Sequence, residues 1–289
     1  MPAPMREAPM APPITADTET PTTAATLSKS SAAIVAVVLG ARGGAGQCIV
    51  KALLANPDVR EVRAVVRNPA AVQSGTFDGK TMGATINVLK GDLQHDSELE
   101  LRAIFDGATH VFNASAGRSY EACVAVDCNA VGSTATMAKA AGCKRYVLCS
   151  SQLVDPINKK VFIRLMLNNV ITGKFFKKQL GAMDLKAEGE KLLRKSGMEY
   201  TIVRPGRLTH GPAFSGNPKV GQTNSHFMKG APTTRADLAS VLVLAALSPA
   251  CANTTFEMAC EKPTKSAPAA APTASMFEGL SSQWDKEMI

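Results

Sequence analysis

The strongest constraint on the fold is a glycine-rich turn between an apolar run and a helical pattern. Residues 32–39 read AAIVAVVL, residues 40–46 read GARGGAG, and QCIVKALLA follows. Glycines at 40, 43 and 46 permit a tight turn, close approach of a pyrophosphate and close packing of helix on strand. The free N–H groups at the helix start attract phosphate. In this context the motif predicts a dinucleotide site at Gly40, Arg42, Gly43, Gly44, Ala45 and Gly46.

Short β-rich runs alternate with helical patterns along the chain after this turn. Such alternation is typical of an α/β fold, a doubly wound parallel sheet with helices on both faces, as in the Rossmann fold. We also expect a small substrate-pocket region toward the carboxyl end. The predicted strands are 33–39, 61–66, 85–90, 110–113, 145–150, 199–203 and 255–258. The predicted helices are 46–55, 98–105, 120–141, 180–196 and 234–247.

The second predicted strand indicates which dinucleotide binds. An NAD site places an acidic residue about 20 residues after the glycines, where it binds the ribose hydroxyls. Here Arg67 and Asn68 follow the strand, and Arg42 lies inside the glycine turn. A guanidinium can bind the 2′-phosphate that a carboxylate would repel. The sequence therefore favours NADP over NAD, with a solvated strand end as the alternative reading of Arg67.

Composition excludes several other classes of protein. No apolar run approaches the roughly 18 residues that a membrane span requires. The seven cysteines form no CxxC pair, and with four scattered histidines they predict neither a zinc site nor a disulfide framework. We expect no metal. A reducing compartment fits this use of cysteine, so the cytoplasm is the expected location, with the plastid as the alternative.

The net charge of +8 is concentrated in one region of the chain. Residues 151–230 contain 14 lysines and arginines against five acidic residues. This excess favours an anionic partner, such as a phosphorylated cofactor, an acidic protein or an anionic membrane surface. Only three tyrosines and one tryptophan are available to stack on bases, and no nucleic-acid module is present. We expect no nucleic acid.

The ends of the chain differ in composition from its centre. Residues 1–31 consist largely of Pro, Thr, Ala and Ser and are predicted to be a disordered extension. Residues 32–260 form the predicted nucleotide-binding domain. In 261–289 a Pro/Ala-rich linker precedes Phe277, Leu280, Trp284 and Met288, whose spacing predicts a short terminal helix. That helix either folds back on its own domain or docks on a partner.

Five further stretches resemble the atypical short-chain dehydrogenase/reductase family, of the NmrA-like and plastid NAD(P)-binding type. The resemblance covers about residues 32–260, and SGMEYTIVRPGRLT is its most characteristic run. The matching stretches are AVVRNPA (64–70), GDL (91–93), AKAAGCKRYVLCSS (138–151), AEGEKLLRKSGMEYTIVRPGRLT (187–209) and RADLASVLVLAAL (235–247).

This resemblance implies roles for residues outside the glycine turn. Asp92 and Leu93 match the segment that contacts adenine, and Ala114 and Ser115 the one that borders the pyrophosphate and nicotinamide ribose. Lys186 aligns with the lysine that holds the ribose, and Ser151 follows the fifth strand, where substrate is expected. The loop that touches the nicotinamide matches Pro205, Gly206 and Leu208.

One position departs from the family pattern. The Tyr-x-x-x-Lys pair of the reductases requires tyrosine four residues before Lys186, and Ala182 stands there. None of the three tyrosines has a lysine four residues later. The proton would then come from solvent or substrate, or through Ser151 or His210.

Two functions follow from the resemblance together with this departure. The first is an NADPH-dependent oxidoreductase that transfers hydride to a flat acceptor such as a quinone, flavin or tetrapyrrole. Such rings make smaller demands on a proton donor. The second is a non-catalytic NADP(H)-binding redox sensor, scaffold or assembly factor. The identity of the small-molecule substrate is not encoded in any motif.

Residues 159–183, KKVFIRLMLNNVITGKFFKKQLGAM, mix apolar side chains with six basic ones. Three interpretations remain open. The segment is a helix pair that closes the pocket over an apolar substrate, or a surface that touches a protein complex or an anionic membrane. The third is ordinary core packing with a solvated basic face. Together with the C-terminal tail, this segment is the predicted contact for any macromolecular partner.

Overall fold

The apolar runs form the strands of a large sheet. The computed structural model describes Met1 and residues 33–173, 180–224 and 232–282, and these contain ten strands. The strands are β1 (Ile34–Leu39), β2 (Val59–Val66), β3 (Thr85–Lys90), β4 (His110–Asn113), β5 (Arg145–Cys149), β6 (Tyr200–Pro205), β7 (Leu208–Thr209), β8 (Asn217–Gly221), β9 (Thr233–Thr234) and β10 (Thr254–Glu261).

Eight of these strands pair in the order β3-β2-β1-β4-β5-β6-β10-β8. All pairings are parallel except that of β8 with β10. The order reverses direction between β1 and β4, which places the ligand crevice of such a sheet beside the carboxyl end of β1. The predicted doubly wound sheet is thus confirmed, and the two short strands β7 and β9 form a separate parallel pair.

Helices connect most of the parallel strands. Their bounds are α1 (Gly44–Leu54), α2 (Glu98–Arg102), α3 (Tyr120–Ala122), α4 (Ala130–Ala140), α5 (Phe162–Thr172), α6 (Ala182–Lys195) and α7 (Arg235–Leu247). A π-helical segment, Cys123–Asn129, joins α3 to α4. Short 3-10 turns lie at Pro69–Ala71, Gln152–Val154, Pro156–Asn158, Pro249–Cys251 and Ala274–Phe277.

The central strands β1, β4 and β6 are buried on both faces, as in other parallel sheets, whereas the edge strand β3 is mostly exposed. Side chains of β1 alternate between two apolar clusters. Ala36 and Val38 join a cluster with side chains of α1 and α7, whereas Val35, Val37 and Leu39 join a cluster with side chains of α2, α4 and α6. The continuous apolar run of β1 therefore has the composition that two covered faces demand.

Two elements differ in kind from their prediction. The predicted helix over 120–141 contains the π-helical segment, because one extra residue is accommodated there without breaking the helix. Edge strand β8 was not predicted, since it contains Pro218 and alternates weakly. Of residues 159–183, the described part contains α5 and the first two residues of α6, and residues 174–179 lie outside the described residues, so the three interpretations of this segment stay open.

The C-terminal segment returns to the sheet. Residues 262–273 are mostly exposed and irregular, and then the 3-10 turn Ala274–Phe277 buries Phe277 against Phe256 of β10, with ring centroids 5.6 Å apart. This part of the segment thus lies against its own domain, whereas the predicted helix over 277–288 falls largely outside the described residues and stays a prediction. Trp284 and Met288 lie outside the described residues, as do residues 2–32, which include nearly all of the predicted N-terminal extension.

No helix in the described ranges has the length and apolarity that crossing a membrane would require. The described residues also contain no group of three or more His, Cys, Asp or Glu side chains arranged to hold a metal ion.

Candidate cofactor and active site

The glycine turn after β1 has no room for side chains at two positions. Gly40 has φ of +73°, and a Cβ there would lie 2.8 Å from the backbone of Ser115. A Cβ on Gly46 would lie 2.3 Å from the carbonyl oxygen of Gly40. The first glycine thus brings the turn against the loop that follows β4, and the other lets α1 begin directly above the strand. This is the backbone cradle that a pyrophosphate requires.

The N-terminus of α1 opens toward this cradle. Its N-cap residue, Gly43, supplies no side chain to accept a hydrogen bond from the first-turn N–H groups, and no acidic residue lies in that turn. Arg42, Gly43 and Gly44 are exposed, whereas Ala45 is half-buried. The helix therefore presents free N–H groups and the positive end of its dipole, the combination that binds phosphate groups.

Arg235, the first residue of α7, lies against the same turn. A Cβ added to Gly44 would be 2.9 Å from its Cδ and 3.0 Å from its Nε. Within the described residues the Arg235 guanidinium has neither a hydrogen bond nor a carboxylate partner. Its charge also acts on Cys149 at the end of β5. Burial raises the pKa of the Cys149 thiol to about 11, and the positive charges of Lys186 and Arg235 oppose that rise. A half-buried cation therefore stands at the mouth of the phosphate cradle.

The predicted 2′-phosphate and adenine residues lie at the ends of β2 and β3. Arg67 is exposed just beyond β2. Asp92 follows β3 and accepts a 3.0 Å hydrogen bond from Gln94 N, and its other oxygen lies 3.0 Å from His95 Nδ1. Burial opposes ionisation of Asp92, yet His95, Gln94 N–H and Arg67 together lower its pKa. Leu93 packs on the apolar cluster beneath. Arg67 and Asp92 are thus near enough to interact electrostatically.

The loop after β4 closes the other side of the cradle. Ser115 N donates a 3.0 Å hydrogen bond to Asn113 Oδ1, and the Ser115 hydroxyl donates to the same oxygen. The Asn113 amide in turn donates to the buried Tyr146 hydroxyl at 2.8 Å. Ala114 and Ser115 are half-buried beside Gly40. The structure therefore brings together the two predicted loops, which are about 70 residues apart in the chain.

Lys186 of α6 is paired with an acidic residue that the sequence analysis missed. Its Nζ lies 2.6 Å from Asp127 Oδ1 in the π-helical segment, and Asp127 Oδ2 accepts a 2.9 Å hydrogen bond from Gly117 N. The two side chains are only 17% and 1% exposed. Burial opposes the charge on Lys186, but the Asp127 carboxylate raises its pKa overall. Lys186 is therefore a positioned ammonium group and not a base.

These groups converge on a small cavity at the carboxyl edge of the sheet. Because it lies among the ends of β4 and β5 and the face of α6, it occupies the crevice expected for the reactive end of a dinucleotide. Its lining includes Ser115, Asp127, Leu148, Cys149, Ser150 and Lys186.

The two serines after β5 differ in their contacts. Ser150 is buried beside the cavity and donates a 2.6 Å hydrogen bond to Glu190 of α6. Ser151, which was predicted to orient substrate, is half-buried and caps the 3-10 turn Gln152–Val154 by accepting a 3.2 Å hydrogen bond from Leu153 N. Ser151 does not line the cavity. It remains a predicted substrate contact, and its hydroxyl already has a structural partner.

The predicted nicotinamide loop follows β6. Gly206 N donates to Met258 O of β10 at 3.1 Å, and a Cβ on Gly206 would lie 3.2 Å from Gln152 Oε1. The Gln152 amide donates to the same Met258 carbonyl at 3.1 Å. Pro205 ends β6 and Leu208 begins β7. The loop is thus held against β10 and the turn that follows β5. It lies on the opposite side of the crevice from Arg67.

None of the three tyrosines completes a Tyr-x-x-x-Lys pair. Tyr146 is fully buried, and burial raises its pKa to about 12. Tyr200 is also buried, under the Arg194 guanidinium. Tyr120 is half-buried and packs on a small cluster that contains Ala182, the position where the family places its tyrosine. Only Tyr120 combines partial exposure with nearness to that position, a result of tertiary packing that spacing along the chain does not reveal.

Comparisons with known proteins agree with this geometry. A family model described as NAD(P)H-binding matches residues 40–249. A relative from Bacillus subtilis (strain 168), described as the uncharacterized sugar epimerase YhfK, is 28% identical over 178 residues, which cover 61% of this chain and 72% of the relative.

Solved structures share the fold at low sequence identity. A putative NAD-dependent epimerase/dehydratase from Bacillus halodurans superposes with a TM-score of 0.64 at 22% identity, over 85% of this chain and 99% of that chain. The anaerobilin reductase ChuY from Escherichia coli O157:H7 has a TM-score of 0.59 at 20% identity, over 82% and 99% of the two chains.

Proposed function

Since the chain belongs to the NAD(P)H-binding family, we propose that it is an NADPH-dependent reductase of the atypical short-chain type that transfers hydride to a flat acceptor. The observation that carries this proposal is the convergence of the glycine cradle, Arg235 and the Lys186–Asp127 pair on one crevice.

The residues present fit a dinucleotide phosphate. The α1 N-terminus and Arg235 would hold the pyrophosphate, and Arg67 with Arg42 would hold the 2′-phosphate. Asp92 and Leu93 would border the adenine, and Pro205, Gly206 and Leu208 the nicotinamide. NADPH supplies the hydride when it is bound. Because Arg67 and Arg42 are exposed at this end of the site and can bind a 2′-phosphate, they favour NADPH over NADH.

Lys186 orients an oxygen in the crevice. Asp127 accepts one of its three N–H bonds, so two donors remain for the ribose or for an acceptor oxygen. Its raised pKa keeps the ammonium charged at neutral pH, which stabilises negative charge that develops on an acceptor. Tyr120 packs beside Ala182, the position of the missing family tyrosine. Its hydroxyl would donate a proton to the reduced acceptor.

A flat, readily reduced ring is the acceptor class that this site favours. Reduction of a quinone, flavin or tetrapyrrole distributes charge over a conjugated system, which lowers the demand for a strong proton donor at position 182. The similarity to a reductase described as acting on anaerobilin adds support for the tetrapyrrole among these three.

The competing proposal is a non-catalytic NADP(H)-binding sensor or scaffold. Ala182 favours it, because the usual proton donor is absent and the residue is buried in an apolar cluster. Both proposals predict nucleotide binding, and they separate on turnover.

The first experiment is a calorimetric titration with NADPH and with NADH. Arg67→Ala should weaken NADPH about tenfold to a hundredfold through loss of a charge-assisted phosphate contact, with little change for NADH. Arg60→Ala is the matched control, since Arg60 is exposed near the start of β2, whereas Arg67 follows the end of that strand. If the wild-type chain binds neither nucleotide, both proposals fail.

The second experiment measures NADPH oxidation with a quinone, a free flavin and a linear tetrapyrrole. Lys186→Met should lower kcat by about a hundredfold, whereas Lys191→Met, on the exposed side of the same helix, should not. Tyr120→Phe should lower kcat, because it removes the proposed proton donor. NADPH binding without turnover on any of the three acceptors would leave the sensor as the supported function.

A further inference from the structure

Helix α5 has its polar and apolar faces reversed relative to an ordinary surface helix. Arg164, Asn168 and Thr172, spaced four residues apart, are 2%, 5% and 6% exposed. The opposite stripe is apolar and faces solvent. It consists of Phe162, Leu165, Met166 and Val170, which are 78%, 47%, 38% and 64% exposed.

Specific contacts hold α5 in this orientation. The Arg164 guanidinium donates to Asp184 at 2.8 Å and to the carbonyl of Asp155 at 2.8 Å. Asn168 donates to Asp184 at 3.2 Å and accepts from Met183 N at 2.7 Å. Rotation of α5 to bury its apolar stripe would break all of these contacts and leave buried charge unpaired. The exposed apolar stripe is therefore fixed by the fold.

Positive charge accompanies the apolar stripe. Lys159 and Lys160 are exposed just before α5, next to Ile157, which is 72% exposed. From position 156 to 183 the sequence contains six lysines and arginines and no aspartate or glutamate. Arg164 pairs with Asp184, and the other five cations have no acidic residue within this stretch of sequence.

We propose that this face, Ile157 to Val170 with Lys159 and Lys160, docks on the surface of an anionic lipid bilayer. Apolar side chains on one stripe with flanking lysines match the interfacial helix, whose apolar face enters the headgroup region while lysines contact anionic lipid. With 11 residues, α5 is about 16 Å long, which suits a helix lying in the interface and not one crossing it.

A protein groove would account for the apolar stripe but not for the charge pattern. Interfaces between proteins exclude lysine from their centres and place acidic partners opposite basic ones at specific points. Here the lysines come from one acid-free segment and require only a diffuse negative surface. This argument favours the bilayer over a protein complex, and a second copy of the same basic face would be repelled.

Vesicle co-sedimentation tests the proposal with the full-length chain. One set of vesicles is pure phosphatidylcholine, and the other contains phosphatidylglycerol in equal amount. We expect binding to the anionic set, reduced by raising the salt from about 0.1 M to about 0.5 M. Lys159→Glu with Lys160→Glu should weaken binding about tenfold or more.

The second part of the vesicle experiment substitutes residues of the apolar stripe. Phe162→Glu with Val170→Glu should abolish binding, whereas Leu99→Glu on α2 should not, although Leu99 is equally exposed at 80%. Circular dichroism and NADPH titration confirm that each variant remains folded.

Two outcomes would overturn the proposal. The first is absence of binding to anionic vesicles, or equal binding to both vesicle sets. The second is concentration-dependent self-association in analytical ultracentrifugation that Phe162→Glu abolishes, since the face would then be an interface between copies of the chain.

Discussion

The shape of the glycine turn depends on Cβ atoms that its glycines lack. The absent Cβ of Gly46 lets α1 begin against the carbonyl of Gly40, and the absent Cβ of Gly44 leaves space that the Arg235 side chain fills. An arginine from α7, nearly 200 residues away in the chain, therefore lies against the turn that begins at residue 40. Because its guanidinium has no partner among the described residues, an anion in the cradle is the group it would bind.

Arg235→Ala should weaken NADPH and NADH by the same factor, about tenfold to a hundredfold, because a pyrophosphate contact is common to both nucleotides. Arg67→Ala should affect NADPH alone. Calorimetric titration of both variants with both nucleotides separates the two roles. Equal affinities in Arg235→Ala and wild type would show that Arg235 stabilises the fold without touching the cofactor.

Gly46→Ala should disrupt the cradle, because the new Cβ would lie 2.3 Å from Gly40 O and 2.8 Å from Ala41 Cα, both backbone atoms that cannot move independently. We expect a loss of about 1–3 kcal/mol in the free energy of unfolding and loss of nucleotide binding. Gly79→Ala is the matched control, since its nearest neighbour would be the flexible Lys51 side chain at 3.7 Å. Urea unfolding and nucleotide titration measure the two effects.

At the scale of elements, buried ion pairs fix how α6 sits on the sheet. Glu190 of α6 accepts from Arg204 of β6 at 2.7 Å and 3.1 Å, and from Arg194 at 3.2 Å. Arg204 also donates to Asp155 at 3.0 Å. This cluster continues through Asp155 to Arg164 of α5. Arg204, the first arginine of the RPGR run, therefore has a structural role. It links α6, which carries Lys186, to Asp155 and so to helix α5.

Glu190→Gln should lower the free energy of unfolding at neutral pH by about 3–5 kcal/mol, because it removes the buried carboxylate that Arg204 and Arg194 share. Burial alone would raise the pKa of Glu190, but Arg204, Arg194 and Ser150 lower it to about 2 from 4.5. The carboxylate thus contributes stability that is fully present above about pH 4.5 and is lost as pH falls toward 2.

The variant should therefore show a flatter pH dependence of unfolding in that acidic window. Glu98→Gln, at an exposed ion pair on α2, is the control and should change the stability little. Denaturant unfolding of the two variants at several pH values tests this. A wild-type slope in Glu190→Gln would contradict the assignment.

At the scale of the whole molecule, the chain's C-terminal segment completes the core at one edge. Phe277 is fully buried and packs on Phe256, and the amide of Ser281 donates to Gln222 Oε1 at 2.9 Å. The exposed residues 262–273 thus form a strap between two ordered parts, and the terminal segment contributes to stability as a part of the domain.

Phe277→Ala should cost about 3–5 kcal/mol of unfolding free energy, because it removes a buried aromatic ring and leaves a cavity against β10. Phe162→Ala, which truncates a ring that is 78% exposed, should cost little in the absence of lipid. Thermal and urea unfolding of both variants give the comparison. Wild-type stability in Phe277→Ala would show that the segment is only loosely attached.

Much of the architecture was predictable because it depends on local patterns. Strands β3 and β4 match their predicted bounds, and the glycine turn lies where its spacing placed it, since apolar periodicity and glycine sterics act over a few residues. Strand β8 was missed because a proline and weak alternation hide an edge strand. The predicted site residues Gly40, Ser115 and Lys186 do lie around one crevice, because parallel strands bring their carboxyl ends together.

Sequence alone determined the sheet, the dinucleotide turn and the absence of tyrosine at position 182. Only the tertiary structure revealed that Asp127 holds Lys186, that Arg235 covers the cradle, and that α5 buries its polar face. These three features depend on side chains from distant segments, and no periodicity records which segment will lie opposite. An apolar stripe in a sequence normally predicts a buried face. Here the buried Arg164 guanidinium donates to the Asp184 carboxylate and to the backbone carbonyl of Asp155, and these contacts hold the apolar stripe outward.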